Sequence, residues 1–203
     1  MVRFIFQILA TAALVAGSTS AQLDFGKLKE YATDFKDQIT NNATDAPAGK
    51  RPLHGLLSGL EFGGTGNDAY EYRDAVEPGE VVRGVTIHTG KRVNDIGIIH
   101  QNLAGEPVTF FASGKGGDPH TLMLGPDEHI TSIEAHTGEK DGRKRISFIK
   151  FTTNKGNSVS GGTPTNDIGK ESAPEEGYQV GGFFGKRGDE IDSVAAIWAT
   201  ILP

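Results

Sequence analysis

Val81-Val82-Arg83-Gly84-Val85-Thr86-Ile87-His88-Thr89 reads as a β-strand: Val82, Val85 and Ile87 stand among polar residues, and Gly90 ends the run. Further short runs rich in β-branched and aromatic residues occupy 95–101, 107–112, 121–124, 129–136, 146–153, 179–184 and 193–202. Gly105, Gly114, Gly116-Gly117, Gly125-Pro126, Gly138 and Gly142 punctuate them as turn formers. With no convincing helix between the runs, the pattern predicts an all-β fold: an antiparallel barrel, sandwich or prism.

The 203 residues suffice for one domain with appendages, and the 28 glycines suit a fold of many turns. There is no cysteine, so packing and sheet hydrogen bonds must hold the domain without disulfides. A formal charge of −6 fits neither nucleic acid nor anionic lipid as a partner. Residues 1–21 read as a signal peptide: Arg3 supplies a positive start, 4–15 an apolar run, and Ser18-Thr19-Ser20-Ala21 a small-residue cleavage site. That run is too short to cross a bilayer, so the expectation is a secreted, extracellular protein with no membrane insertion.

Residues 22–57 read as an extension. Leu28, Tyr31, Phe35 and Ile39 fall on one face of a short amphipathic helix that Asp24 would cap and Asn41-Asn42 would end. Both a surface or propeptide helix and a partner-docking helix fit this pattern. A linker follows, with the sequon Asn42-Ala43-Thr44 and a dibasic Lys50-Arg51 that Pro52 protects from cleavage.

Four further strings stand in order along the rest of the chain. They are Leu60-Glu61-Phe62-Gly63-Gly64-Thr65-Gly66-Asn67; Gly116-Gly117 with Leu122 to Leu124 and Asp127-Glu128-His129-Ile130; Ile146-Ser147-Phe148-Ile149-Lys150-Phe151-Thr152-Thr153-Asn154; and Val180-Gly181-Gly182-Phe183-Phe184-Gly185 with Gly188-Asp189-Glu190-Ile191-Asp192 and Trp198. Together they resemble the jacalin-related lectins over residues 58–203. The resemblance implies a β-prism I fold of three four-stranded antiparallel sheets, with the short helical N-terminal extension ahead of it. It further implies a shallow sugar site that uses no metal or other cofactor.

A hexose presents vicinal hydroxyls and calls for convergent backbone amides and a carboxylate on rigid loops. Gly188 would make a tight turn close to the ligand, the amides of Asp189 and Glu190 would point at sugar oxygens, and Asp192 would accept two charge-assisted hydrogen bonds. By family correspondence Gly64 adds a backbone contact. His136 stands where many members place an aromatic in a neighbouring loop, and could lie against the apolar face of the sugar. The plainer reading is a glycine turn, a strand-starting aspartate and an exposed loop histidine.

This chain departs from the family at Asp189 and Glu190, which replace bulky side chains. With Asp192 they concentrate negative charge, so the expected monovalent affinity is weak, on the order of millimolar. Useful avidity would then come from a homo-oligomer. The chain also runs intact through Phe62 into Gly63, as in mannose/glucose-preferring members, which puts mannose/glucose-type glycans ahead of galactose as ligands.

Two other functions compete. A glycoside hydrolase needs carboxylates on opposite sides of the scissile bond, about 5–9.5 Å apart; here they crowd one short loop, so the expectation is no enzyme. A secreted effector or protein-interaction module on a lectin scaffold that has lost sugar binding is the alternative function. His88, His100, His120 and His129 lack metal-ligand spacing, and no phosphate loop is present.

Overall fold

A computed structural model describes residues 55–66, 68–72, 76–101 and 104–201. The expected signal peptide, amphipathic helix and sequon lie outside the described residues. The strands are β1 (Leu56–Ser58), β2 (Phe62–Gly63), β3 (Asp68–Glu71), β4 (Val82–Thr89), β5 (Val93–Gln101), β6 (Pro107–Phe111), β7 (Asp118–Met123), β8 (Ile130–Lys140), β9 (Arg143–Thr153), β10 (Ser158–Gly162), β11 (Asp167–Ser172), β12 (Tyr178–Arg187) and β13 (Ile191–Thr200).

They form three antiparallel sheets, ordered β6-β5-β4-β7, β10-β9-β8-β11 and β1-β13-β12-β3. In the last, β1 and β2 both pair with β13 and act as one interrupted strand, so each sheet is four strands wide. The first two sheets are Greek keys, with the fourth strand returning beside the first. The third has the same arrangement but is assembled from both ends of the chain. Gly55 and Thr200 are therefore neighbours, the Thr200 N–H donating to the Gly55 carbonyl at 3.1 Å.

The central hairpins β4–β5, β8–β9 and β12–β13 share a second feature. Each has one unpaired residue on its second strand near the turn: Asn94, Ser147 and Asp192. Such β-bulges bend the strand and re-aim a side chain. In β9 the bulge also shifts the alternation, so that Ile146 as well as Ile149 and Phe151 faces inward, all fully buried.

The core is where the three sheets meet. Ile87, Ile96 and Ile98 come from the first, Ile133, Ile149 and Phe151 from the second, and Phe183, Val194 and Trp198 from the third, none more than 1% exposed. Phe151 and Phe183 meet across the interior with ring centroids 5.2 Å apart.

Glu128 closes one end. It accepts hydrogen bonds from the Gly125 amide at 3.0 Å, from Thr153 Oγ1 at 2.7 Å and from Asn157 Nδ2 at 2.7 Å. Those bonds, the Gly125 amide first, pull its pKa down to about 2. A depressed folded-state pKa means stability that is present above the unfolded value and lost on acidification. Thermal unfolding followed by circular dichroism should therefore show a midpoint that falls from about pH 4.5 towards pH 2. In Glu128→Gln that fall should be shallower, and an equally steep one would show that other groups carry the acid response.

Candidate functional site

Asp192 is the bulge residue of β13, and its carboxylate is turned to the hairpin tip formed by residues 188–190. It is only 5% exposed. One carboxylate oxygen, Oδ1, is ion-paired with the Arg145 guanidinium. The other, Oδ2, lies against Gly66, where any added Cβ would collide with it. Gly63, at φ +112°, threads the same loop past Asp192 in a conformation that favours glycine. The first glycine loop thus packs directly on the last hairpin, although about 130 residues separate them in sequence.

Gly188 differs from these glycines. Its φ lies outside the left-handed range, and a Cβ there would rest 3.8 Å from Arg145 and 3.9 Å from Asp192, in ordinary contact. Neither backbone conformation nor crowding demands glycine at this position. What its missing side chain leaves is free space bordering the Asp192 and Arg145 side chains, which are themselves mostly buried.

Glu190 connects the three hairpins. From the β4–β5 turn Arg92 grips it bidentately, Nε and Nη2 each at 2.7 Å. From β8 Lys140 reaches it at 3.4 Å, and Arg145 of β9 stands 3.9 Å away. The hydrogen bonds from Arg92 hold the Glu190 carboxyl below its ordinary range against the effect of burial. Asp189 is exposed and paired with Lys115 at 2.7 Å, which lowers its pKa too, and its carbonyl accepts the Lys115 amide at 2.9 Å. The charge concentration expected from Asp189, Glu190 and Asp192 is therefore corrected: each acid has its own cation.

The sequence-derived residues assemble in part. Gly188, Asp189, Glu190 and Asp192 form one tip, and Gly64 borders it, but the Gly64 amide is donated to the Asp192 carbonyl at 2.9 Å. Any contact from Gly64 to a ligand must come from elsewhere on its backbone. His136 stands apart. It is not on a loop but within β8, 5% exposed, its Nε2 2.8 Å from Glu134 and its Nδ1 accepting the Thr165 amide at 3.1 Å. Phe148 covers its ring at 4.7 Å, so it presents no face to solvent. It shares the outer face of the sheet with Glu134, and the Thr165 amide and the Phe148 ring, not a bulge in β8, cover it there.

Sequence reasoning missed Arg92, Arg145, Lys115 and Lys140. The available signal was Lys140-Asp141-Gly142-Arg143-Lys144-Arg145, a basic hairpin tip in an acidic chain. Beside the tip, a cleft of about 560 Å³ opens between Gly63, Gly64 and Thr65 on one side and Arg143, Lys144 and Lys186 on the other. Among the described residues, no group of three or more His, Asp or Glu side chains is arranged to hold a metal ion.

The Jacalin-like lectin domain family matches residues 60–197. Secreted RxLR effector protein 19 of Plasmopara viticola is 29% identical over 143 residues, which are 68% of this chain and 78% of that protein. A mannose/glucose-specific lectin of Parkia pendula is 28% identical over 156 residues, 70% of this chain but only 31% of that protein. Wild-type Malaysian banana lectin superposes with a TM-score of 0.62 at 25% identity, over 72% of this chain and 99% of the lectin.

Proposed function

The chain belongs to the jacalin-like lectin domain family, and on that premise we propose that it is a secreted, non-enzymatic protein that binds mannose- and glucose-type glycans without metal at residues 188–192. The observation that carries this reading is Gly188, a glycine that the fold does not require, standing before a bulge-aimed carboxylate. Asp192 accepts sugar hydroxyls through Oδ2, the neighbouring Arg145 guanidinium donates to sugar oxygens, and the turn amides of Asp189 and Glu190 complete the set. The ion pairs hold these groups in place before a ligand arrives, which lowers the ordering cost of binding. The name of the Parkia relative supports the mannose/glucose class.

A glycan array tests the proposal. Mannose-rich glycans should bind the wild type, Asp192→Ala should abolish the signal, and Gly188→Val should reduce it at least tenfold with an unchanged thermal midpoint. Silence of the wild type across the array sinks the reading.

One observation favours the other function, an effector that binds protein. The Plasmopara relative is named a secreted RxLR effector, and Arg51-Pro52-Leu53-His54 here differs from R-x-L-R only in its last residue. Capture of a defined host protein by an array-silent wild type would select this reading instead.

A further inference from the structure

The cleft beside the tip has a charge that the family match does not account for. Three cations, Arg143, Lys144 and Lys186, line it against one carboxylate, Glu61. Glu61 already accepts a hydrogen bond from Ser193 Oγ at 2.5 Å. Lys144 has a loose, exposed ion pair with Asp167 at 3.5 Å, whereas Arg143 and Lys186 have no acidic partner among the described residues. The acids of the tip cannot neutralise them, because Arg92, Lys115 and Arg145 already hold Glu190, Asp189 and Asp192. This end of a chain with net charge −6 is thus locally basic.

The geometry ties the cleft to the sugar position. The glycine loop lies between them, Gly64 packed on Lys144 and Gly66 on Asp192. At Gly142, which also lines the cleft, a Cβ would meet nothing within 4 Å. Its volume of about 560 Å³ exceeds what one ester or carboxylate needs and leaves room for the adjoining sugar ring.

We infer that the cleft is an anion subsite, and that the preferred ligand is a saccharide bearing a sulfate, phosphate or uronate next to the residue held at Asp192. This rests on the lectin reading and specifies its ligand. A guanidinium and two ammonium groups suit such oxyanions, since charge-assisted hydrogen bonds are shorter and stronger than neutral ones. Partial exposure makes the attraction sensitive to salt.

Isothermal titration with one mannose-type oligosaccharide in neutral, sulfated, phosphorylated and uronate-bearing forms tests it. At low salt at least one anionic form should bind ten-fold or more tighter than the neutral form, the gain shrinking several-fold at high salt. The arms identify which anion fits. In R143Q/K144Q the gain should vanish while the neutral form binds as before. Equal affinity for all four forms overturns the inference and leaves the lectin reading standing, as does a gain that survives in R143Q/K144Q. If no form binds, both fall together.

Discussion

Glu190→Ala should lower the thermal midpoint of the domain by roughly 6–10 °C, equivalent to about 2–3 kcal/mol, although the residue sits at a surface turn. The reason is what surrounds it. Its side chain is only 12% exposed and is shared by Arg92, Lys140 and Arg145, which belong to two other hairpins. Removing it leaves cations of like charge gathered around a cavity, and breaking a covered ion pair costs more than forming it gains. Glu190→Gln keeps a hydrogen-bonding group and should lose less. A double-mutant cycle with Arg92→Ala isolates the pair: additive losses would show that the two residues act independently. Because the Arg92 hydrogen bonds depress the Glu190 pKa, its contribution is full above the unfolded carboxyl value and lost as pH falls below it.

Trp198→Ala should be costlier still, about 3–5 kcal/mol, enough to leave a domain of ordinary stability marginal. Trp198 is 1% exposed on β13, between Leu57 of β1 and Val180 of β12, and is among the largest side chains of the core. Its indole Nε1 has no hydrogen-bond partner among the described residues. Trp198→Phe discards that unpaired donor together with part of the ring, so its loss should be much smaller. Chemical denaturation of both variants checks the order, and a Phe variant as weak as the Ala variant would mean that the indole nitrogen is paired after all.

The parts of this fold that could be read from the chain are those with one buried side. Strands β4, β5, β8, β9, β12 and β13 carry the isoleucines, valines and phenylalanines of the interior, and the sequence pattern marks all six, reaching the hairpin tip in β4 and stopping two to four residues short of it in the other five. Strands β10 and β11, Ser158–Gly162 and Asp167–Ser172, are not marked, because an edge strand with both faces partly wet carries almost no apolar alternation. The site divides in the same way. The family string singles out Gly188 and Asp192, and the structure places them side by side at one hairpin tip. The cations of the tip are not legible, because Arg92 and Arg145 reach Glu190 and Asp192 only through pairing between sheets, which no local spacing encodes. The surroundings of His136 are not legible because they depend on Phe148, its partner on β9, and on Thr165 in the loop between β10 and β11.

The adjacency of Gly55 and Thr200 has a practical consequence for presenting the molecule. Strand β13 runs from the hairpin tip at Ile191 to Thr200, ten residues and so about 30 Å. Both points where the backbone crosses the boundary of the prism therefore lie at the pole remote from the tip. A resin, particle or fused partner coupled through either one would moor the prism by its base and leave residues 188–192 facing outward. Several copies displayed side by side would then point their tips the same way, an orientation suited to a glycan-coated surface.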